Sequence, residues 1–544
     1  MQRSVTHWVD GVAERLAVKT AGRGKVGCNG GLSVSGLQHV GRLRGEVTIV
    51  DAVCRVLEDR GVKTRHTLVL YDVDPWKGKD PQLKQFSDPV EAAKYRDWPL
   101  FKVPDPKGCC RSWVEHYWRD FGDFLDEFSR NIVVVRTSEL YSENPRMQEF
   151  VLASLAKSAE IRRVLNKYRR RNPLPDDWIP FEPICEKCGR IGKSHVKEVY
   201  LEEKRVSYVC ECGYEGEASI RNGKLTWRVE WVGVWYALEV DFEPYGKDHA
   251  MPGGSRDSCN ELAEKVFGFK PPEGLPYEWV GYVVGGRDVG DMGSSDFIGF
   301  TPREWVEVAE PEVLRYYYLV NQPMKRLTLS LEQVPRYTEA FDTAERIYYG
   351  LEDARDSELR ARSYELALLT PPPKDPLFQL PYLHAVALVQ TLPSDRDLAE
   401  AAVKRLKDTS KIDRDLRPEE VERISRRLRL AKRWLELYAP AQYQIKFIEE
   451  LPDEAVKQIP IGVARLLKIL YLNFTEVKEW SDEEIKRAMM KVPRRKGKEE
   501  KDFFKALYLA FFGKTYGPRI APYFSMLGKE RVLARLSEVL KKLG

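Results

Sequence analysis

Four of the nine cysteines form two short pairs whose spacing is typical of a zinc site. Cys185 and Cys188 belong to CEKC, Cys210 and Cys212 belong to CEC, and a glycine follows each pair. Two thiolate pairs separated by about twenty residues can hold one zinc ion in a tetrahedron. Such a closed site is structural, so we assign it no catalytic role. Four unpaired cytosolic thiols are the alternative.

A phosphate-binding element is a second candidate, at residues 30–47, GGLSVSGLQHVGRLRGEV. The stretch runs from a strand-like start through a Gly-rich turn into a basic helix. Backbone amides of such a turn at a helix start attract phosphate, and His39 could hydrogen-bond a phosphate in a transition state. The same pattern also fits an ordinary strand-to-helix connection, and a lone histidine is frequently structural. The residues alone leave both interpretations open.

Two later stretches could belong to the same site. YGKDHAMPGGSRD, residues Tyr245–Asp257, places Lys247, Asp248 and His249 where a strand should end. The Gly/Ser-rich stretch Val284–Trp305, VGGRDVGDMGSSDFIGFTPREW, predicts a mobile loop of mixed charge. Either could also be an ordinary charged loop.

These groups need a scaffold, and the first 180 residues alternate strand and helix patterns. Short apolar runs of the buried parallel-strand type alternate with helical stretches, which predicts a doubly wound α/β domain. Ligands bind such folds at the carboxyl ends of the strands. The predicted strands are at residues 24–33, Thr67–Tyr71 and Ile132–Val135, and the predicted helices are Gly45–Leu57 and Pro145–Arg171.

The pattern changes after the Pro-rich boundary at Pro173–Pro183. A compact polar stretch that carries the cysteine pairs follows, and Trp235–Phe242 then predicts a strand and Ser258–Phe267 a helix. From Pro302 onward we expect helices and no further strands. The last helix, Lys529–Leu543, has an apolar stripe typical of a surface helix.

Length and charge limit the possible classes of protein. The chain has 544 residues, which predicts three or more domains, and its net charge of only +5 means that any contact with nucleic acid must use local basic faces. The first 17 residues predict an amphipathic helix, and no apolar run approaches the ~18 residues of a membrane span. We therefore expect a cytoplasmic protein with reduced thiols and no membrane partner.

Taken together, blocks along nearly the whole chain resemble the class I lysyl-tRNA synthetases, the form typical of archaea and some bacteria. SVSGLQHVG is similar to that family's version of the HIGH motif. The blocks are HWVDGVAERL (7–16), SVSGLQHVG (33–41), PDPKGCCRSWVEHY (104–117), PICEKCGRIG (183–192), WRVEW (227–231), FEPYGKDHAMPGGS (242–255), PYEWVG (276–281), TPREWVEVAEPEVLRYYY (301–318) and GPRIAPYFSMLGKERV (517–532).

The resemblance implies an ATP-dependent ligase that forms lysyl-adenylate with magnesium and passes the lysyl group to the 3′ end of tRNA-Lys; no DNA partner is implied. It also assigns residues. The implied catalytic residues are His39 and Arg42. The implied ATP-binding residues are Ser35, Gly36, His39, Gly41, Lys247, Asp248, Met292, Ser294 and Ser295. The implied lysine-binding residues are Gly31, Ser33, Trp227, His249 and Tyr277. Glu46 is suggested for the lysine ammonium, although the spacing after His39 differs by one residue.

The chain departs from the family in its second signature loop. The family carries K-M-S-x-S-K-G-N, whereas this chain has DMGSSDFI, so both lysines are replaced by Asp291 and Asp296. Losing a donor to transition-state charge costs on the order of 10²–10³ in rate. Magnesium bridged by Asp296, or Arg42, Arg287 or Arg303, could compensate. The alternative is a catalytically impaired synthetase-like protein that binds tRNA, lysine or nucleotide without efficient ligation.

The helical half is implied to bind the tRNA anticodon, and it carries two basic clusters. Trp434, Tyr438 and Tyr443 are available for stacking on bases, although core packing is the alternative for each. The clusters suit phosphate contacts or a solvated helix face. The first comprises Arg423, Arg426, Arg427, Arg429, Lys432 and Arg433, and the second comprises Lys491, Arg494, Arg495, Lys496 and Lys498.

The predicted architecture is a Rossmann-like class I synthetase catalytic domain interrupted by a zinc-binding insert and followed by an all-α anticodon-binding region. The predicted boundaries are 1–180 and 226–300 for the two halves of the catalytic domain, 181–225 for the insert, 301–345 for a connecting stem and 346–544 for the helical region.

Overall fold

A computed structural model describes residues 7–169, 171–392, 397–409, 411–444, 447–448, 450–517 and 519–543. Parts of three predictions lie outside the described residues: residues 1–6 of the N-terminal helix, Arg170 of the helix predicted to end at Arg171, and Pro518 of the last family block. The chain forms two compact units. The first comprises the chain up to Trp305 together with Pro311–Ser330 and Gly350–Pro372, and the second comprises Val306–Glu310, Leu331–Tyr349 and the chain from Pro373 onward.

Thirteen strands are formed by the described residues. They are β1 Val26–Leu32, β2 Thr64–Leu70, β3 Ile132–Arg136, β4 Phe181–Pro183, β5 Ser194–Tyr200, β6 Arg205–Cys210, β7 Glu215–Ser219, β8 Gly223–Leu225, β9 Val240–Gly246, β10 Glu273–Tyr277, β11 Val280–Val284, β12 Arg287–Asp291 and β13 Leu327–Leu329.

Helices make up most of the remaining secondary structure. They are α1 Trp8–Lys19, α2 Gly41–Leu43, α3 Val50–Asp59, α4 Asp80–Leu83, α5 Pro89–Ala92, α6 Trp113–Gly122, α7 Thr137–Glu143, α8 Pro145–Ala156, α9 Ser158–Tyr168, α10 Trp227–Ala237, α11 Ser255–Glu261, α12 Pro302–Val306, α13 Pro311–Leu319, α14 Val334–Tyr348, α15 Ser357–Ala367, α16 Tyr382–Thr391, α17 Leu398–Asp408, α18 Pro418–Leu437, α19 Asp453–Lys457, α20 Ala464–Glu476, α21 Asp482–Met490, α22 Lys498–Phe512, α23 Ile520–Leu527 and α24 Lys529–Leu543. Arg44–Ile49 and Leu262–Val266 are π-helical turns.

The central sheet of the first unit is parallel throughout, with the strand order β10-β9-β1-β2-β3. The register pairs Leu32 at the end of β1 with Leu70 at the end of β2. The carboxyl ends of β1, β2 and β9 therefore lie side by side, where the loops that follow them can form one site. The parallel sheet of the predicted Rossmann-like α/β domain is confirmed.

The predicted strand Trp235–Phe242 is wrong in its first half. Helix α10 continues to Ala237, and β9 begins only at Val240. Trp227, Trp231 and Trp235 follow one another at intervals of four residues, and successive ring centroids lie 5.2 Å apart. This spacing places the three indoles on one face of a helix, whereas in a strand it would not bring them into contact.

Three other predictions need correction. The single helix predicted for Pro145–Arg171 is two helices, α8 and α9, because Lys157 leaves the helical conformation. Strand β3 is an edge strand with Val133 and Val134 exposed, not a buried strand. Strands also continue beyond Pro302, because β13 pairs in parallel with β11.

A small antiparallel sheet, β5-β6-β7, lies between β4 and β8, and β4 and β8 pair with each other. This pairing brings the start and the end of the segment together at one place. The segment therefore leaves and rejoins the first unit at a single point, and the predicted insert 181–225 covers the same strands.

The second unit is helical in its described residues. Its core includes Trp434, which is fully buried and whose indole N–H donates to the Leu331 carbonyl (2.8 Å). Trp434 is thus a core residue rather than an exposed stacking platform.

Most of the first basic cluster is engaged in ion pairs within the second unit. The buried Arg427 guanidinium contacts Glu310 (2.6 Å) and Asp342 (2.9 Å), and Arg423 contacts Glu345 (2.8 Å). Arg427 and Arg423 therefore hold the unit together. In the second cluster Arg494 stacks on Phe503 and donates to the Met489 carbonyl, whereas Lys491, Arg495, Lys496 and Lys498 are exposed.

Candidate active site

A cavity of about 500 Å³ opens at the carboxyl ends of β1, β2 and β9. It collects residues from all three predicted phosphate-site stretches. The predicted site residues that line it are Gly31, Ser33, His39, Gly41, Arg42, Trp227, Asp248, His249, Tyr277, Met292 and Ser294.

The other four predicted ATP-binding residues lie beside the cavity rather than in its wall. Lys247 forms an ion pair with Glu278 (2.6 Å) and covers the Trp279 ring. The Ser35 carbonyl and the Ser295 hydroxyl accept hydrogen bonds from neighbouring segments. Gly36 lies so close to the loop after β12 that an added Cβ would stand 2.3 Å from the Ser294 carbonyl oxygen. Gly36 thus lets the turn after β1 contact that loop.

Glu46 enters the cavity because the helix after the Gly-rich turn is π-helical between Arg44 and Ile49. A π-helical turn accommodates one extra residue. It therefore absorbs the one-residue difference in spacing after His39. Strand β1 approaches this turn closely at Gly30, where a Cβ would lie 2.3 Å from the Glu46 carbonyl oxygen.

The Glu46 carboxylate has one oxygen in use and one free for a ligand. Its Oε1 accepts a hydrogen bond from the Tyr277 hydroxyl (2.6 Å). Its Oε2 is buried and has no hydrogen-bond partner among the described residues. Burial raises the pKa of this carboxyl. A cationic group that entered the cavity would satisfy Oε2 and stabilise the ionised form.

Burial favours the neutral form of both His39 and His249. His39 is only 7% exposed, and burial together with the Arg42 charge lowers its pKa well below the usual value. Its Nδ1 atom is buried without a partner in the part of the chain that the structure describes. His249 lies against Trp227 and Trp231, with ring centroids 5.4 and 5.2 Å away, and burial lowers its pKa.

Sequence reasoning missed a buried carboxylate in the cavity wall, Glu243 of β9. Asn29 donates to its Oε1 (3.0 Å), and the indole N–H groups of Trp231 and Trp235 donate to its Oε2. Burial raises the pKa of Glu243 to about 7. A glutamate inside an apolar strand, FEP, was the signal for it.

A second missed group ties the segment between β4 and β8 to the cavity. Lys224 of β8 is buried, and its Nζ contacts Asp74 Oδ1 (2.5 Å) and Glu230 Oε2 (2.7 Å). Asp74 lines the cavity. Burial opposes the Lys224 charge, but the two carboxylates raise its pKa overall. The sequence offered no signal, because Asp74 lies 150 residues before Lys224 in the chain.

Asp291, the last residue of β12, and Asp296, in the loop that follows, are each paired with a cation from another segment. Asp291 contacts Arg326 (2.8 Å), and Asp296 contacts Lys79 (3.2 Å). Arg42 Nε donates to Ser294 Oγ (2.9 Å). Of the arginines proposed as compensating charges, Arg42 therefore reaches the loop, whereas Arg303 pairs with Asp120 (3.2 Å).

The four cysteines of the predicted zinc site converge. Their sulfur atoms all lie within 4.8 Å of one another, with Cys185 and Cys212 at 3.8 Å and Cys188 and Cys210 at 3.7 Å. Four sulfurs at ~2.3 Å from one zinc ion in a tetrahedron would lie about 3.8 Å apart. The residues present therefore fit zinc.

A further set of donor atoms converges at Asp105, Cys109, Cys110 and His116, again within 4.8 Å of one another. Cys109 Sγ lies 3.3 Å from His116 Nδ1, which in turn lies 3.0 Å from Asp105 Oδ1. Sequence reasoning missed this set. The spacing D-x3-C-C-x5-H, with four potential metal ligands in twelve positions, was the signal.

No helix of the described residues is long and apolar enough to cross a membrane.

Comparison with known proteins adds family information to this geometry. Residues 6–370 match the family model described as "tRNA synthetases class I (K)", and residues 394–540 match the model described as "Anticodon binding domain". Every residue that lines the cavity falls within the first match.

The chain is similar over nearly its full length to several proteins named lysine–tRNA ligase. It is 45% identical to that of Aeropyrum pernix, with 97% of each chain covered. It is 33% identical to that of Pyrococcus horikoshii, with 98% of this chain and 99% of that protein covered, and 30% identical to that of Methanocaldococcus jannaschii with the same coverage.

Proposed function

The chain belongs to the class I lysyl-tRNA synthetases, and we propose that it joins lysine to tRNA-Lys in the cavity at the carboxyl ends of β1, β2 and β9. In the first step the lysine carboxylate attacks the α-phosphorus of ATP, the bond to the bridging oxygen breaks, and pyrophosphate leaves. In the second step a ribose hydroxyl of the terminal adenosine of tRNA attacks the lysyl carbonyl carbon, the hydroxyl proton is lost, and AMP leaves.

The observation that carries this proposal is the buried, unpaired oxygen of Glu46 in a wall of aromatic side chains. A lysine side chain is long and apolar with a cationic end. Aromatic faces suit the methylene chain, and a buried carboxylate suits the ammonium. Tyr277 fixes the carboxylate, and Gly45 makes room for the Tyr277 ring, because a Cβ there would stand 2.2 Å from it.

On the nucleotide side, the neutral His39 and the charged Arg42 act on the reacting phosphate. His39 offers an N–H as hydrogen-bond donor without carrying charge of its own, and Arg42 supplies positive charge next to Ser294. Both are held in place before ATP arrives, which is how such sites stabilise developing charge. Magnesium bound with the triphosphate would supply further positive charge there.

We also propose that zinc binds the cysteine cluster of the segment between β4 and β8, and that the Asp105–His116 set is a second metal site. Bound zinc would hold the chain turns together, as closed sites do. Metal analysis of the purified protein tests this independently of activity. Cys185→Ser should remove the first ion and Cys109→Ser the second; unchanged metal content in either variant contradicts the corresponding site.

The alternative, a synthetase-like protein that binds without ligating, depended on two uncompensated acidic residues in the signature loop. Each of these carboxylates has a cationic partner. Neither therefore presents an unbalanced negative charge to the triphosphate, and we favour the ligase.

The test is lysine- and tRNA-dependent ATP–pyrophosphate exchange by the zinc-replete enzyme. We expect exchange in the wild type and a loss on the order of 10²-fold or more in His39→Ala. His195→Ala, which removes an exposed histidine of β5, is the matched control and should keep full activity. No lysine-dependent exchange in the wild type, with tRNA and zinc present, would contradict the proposal.

A further inference from the structure

The charge that a class I synthetase loop normally carries on its own lysines has to come from elsewhere in this chain. Asp291, at the end of β12, and Asp296, in the loop that follows it, stand at the two lysine positions. As pyrophosphate forms, negative charge accumulates on its oxygens, and a fixed cation lowers the energy of that state. A second segment of the chain brings an ammonium group to this loop.

That segment is the chain before α4, which presents Lys79. The Lys79 Nζ atom lies 2.9 Å from the Ser295 hydroxyl oxygen and 3.2 Å from Asp296 Oδ1. Asp296 lines the cavity. The ammonium of Lys79 therefore occupies the neighbourhood in which the second lysine of the loop would act.

The backbone of Lys79 is fixed to the nucleotide side of the cavity. Its N–H donates to Gln82 Oε1 (2.8 Å), and Gln82 Nε2 donates to the Ser35 carbonyl (2.8 Å). Gln82 is fully buried. The Gly-rich turn after β1, the start of α4 and the loop after β12 are thus connected by hydrogen bonds. These bonds fix the backbone of Lys79 next to the loop.

Arg326, the cation paired with the other acidic replacement, is more fully engaged. Arg326 contacts both Asp291 (2.8 Å) and Asp288 (2.7 Å), so its charge is balanced by two carboxylates. Lys79 contacts one carboxylate and one hydroxyl, and an ammonium has three N–H donors. The contact with the second oxygen of Asp296 is long (3.5 Å), and the Lys79 side chain is 41% exposed, so a phosphate oxygen has access to the ammonium.

We propose that Lys79 binds the β- and γ-phosphates of ATP and stabilises the departing pyrophosphate, and that Asp296 and Ser295 position its ammonium. This inference rests on the proposed ligase function. In this chain the positive charge is carried by Lys79, in the segment before α4, instead of by a lysine of the loop. Asp296, which replaces that lysine, is the ion-pair partner that positions the Lys79 ammonium.

The first test is ATP–pyrophosphate exchange by Lys79→Ala. We expect kcat to fall on the order of 10²–10³-fold while the KM for lysine stays unchanged, because Lys79 acts on the triphosphate alone. The double variant Lys79→Ala/Asp296→Lys, which returns a lysine to the loop, should recover most of the loss. Lys77→Ala removes an exposed lysine two positions away and should behave like the wild type.

A binding measurement separates phosphate contact from a structural role. Titration calorimetry should show that Lys79→Ala weakens ATP binding at least tenfold and leaves AMP binding unchanged, since AMP lacks the β- and γ-phosphates. Equal weakening of both nucleotides, or of neither, overturns the inference. If Asp296→Asn abolishes exchange while Lys79→Ala retains it, Asp296 binds magnesium and the inference is also wrong.

The two proposals fail in different ways. Absence of exchange in the wild type would contradict the ligase function. Normal exchange in Lys79→Ala, with an active wild type, would contradict only the role of Lys79. If the wild type shows no exchange, the comparison of ATP with AMP still decides whether Lys79 binds the triphosphate.

Discussion

The Glu46 carboxylate combines burial with an unused hydrogen-bonding oxygen, and together these determine how lysine binding should respond to pH. Burial raises the pKa of Glu46 above the ordinary value of 4.5. In the free enzyme this carboxyl therefore takes up a proton at a higher pH than an exposed glutamate. Only the ionised form attracts an ammonium group, so protonation and lysine binding compete.

We predict that lysine affinity falls as the pH is lowered, with a midpoint above 4.5. Glu46→Gln should bind lysine about 10²–10³-fold more weakly, because one partner of a buried charge pair is removed, and should lose this part of the pH dependence. Calorimetric titration with lysine between about pH 5 and 8 measures both effects. Glu14→Gln, on the exposed face of α1, is the control. Equal pH profiles for the wild type and Glu46→Gln would contradict the assignment.

At this scale, residues that lie in or next to a block of family-like sequence could be selected from the sequence alone. His39 and His249 lie inside such blocks and Arg42 directly follows one; all three line the cavity, and their roles stay predictions. The position of Glu46 in the cavity depends on the π-helical turn, and the position of Lys79 depends on contact with a loop that is distant in sequence. Neither feature could be read from the sequence. Hydrophobic periodicity reports which face of an element is buried, but it does not report a one-residue helical irregularity or a long-range ion pair.

At the scale of elements, the pairing of β4 with β8 makes the intervening segment a self-contained attachment, and Lys224 is the charged contact that joins it to the cavity wall. A buried ion pair contributes little relative to apolar packing. Removing one partner is nevertheless strongly destabilising, because the other charges stay buried and unpaired.

We therefore predict that Lys224→Met lowers the free energy of unfolding by about 3–5 kcal/mol, since it leaves Asp74 and Glu230 without their cation. Urea denaturation followed by tryptophan fluorescence measures this, because Trp231 and Trp235 lie on the same helix as Glu230. Lys197→Met removes an exposed lysine of β5 and should change stability by less than about 0.5 kcal/mol. Equal stabilities of the two variants would contradict the anchoring role.

Helix α18 of the second unit also carries a buried cation between two carboxylates. Its sequence suggested a basic face for nucleic acid, but the inward-facing Arg427 is buried between Glu310 and Asp342. Charge counts along a helix do not distinguish an arginine that faces solvent from one that faces acidic residues on other helices. The tryptophans of α10 are the converse case: their four-residue spacing is typical of a helix, yet the apolar character of the stretch led to the wrong prediction of a strand from Trp235.

Arg427→Met should destabilise the protein by about 3–5 kcal/mol, because two carboxylates lose their buried partner. Arg429→Met, one of the exposed positions of the same helix, should change stability by less than about 0.5 kcal/mol. Chemical denaturation of the full chain provides the comparison. A fall in tRNA affinity for Arg427→Met without any loss of stability would instead place Arg427 in a nucleic-acid contact.

For the whole molecule, tRNA binding has to be achieved with a net charge of only +5. Positive charge therefore acts through local clusters rather than through the overall field. Within residues 394–540, the match to an anticodon-binding model, the exposed cations Lys491, Arg495 and Lys496 follow α21 in a loop. Their neighbour Arg494 is packed on Phe503 and is unavailable for phosphate.

We predict that changing Lys491, Arg495 and Lys496 together to glutamine weakens tRNA-Lys binding and flattens its salt dependence. Each lost phosphate contact should reduce the slope of log K against log salt by about one, because fewer counterions are released. Filter binding at several salt concentrations measures the slope. The control is the triple change of Lys25, Arg60 and Lys63 to glutamine, which removes the same charge from exposed positions of the first unit. We expect this control to have the wild-type slope, because local phosphate contacts and not net charge determine it. Equal slopes for both triple variants would show that binding responds to net charge alone and that the loop after α21 does not contact phosphate.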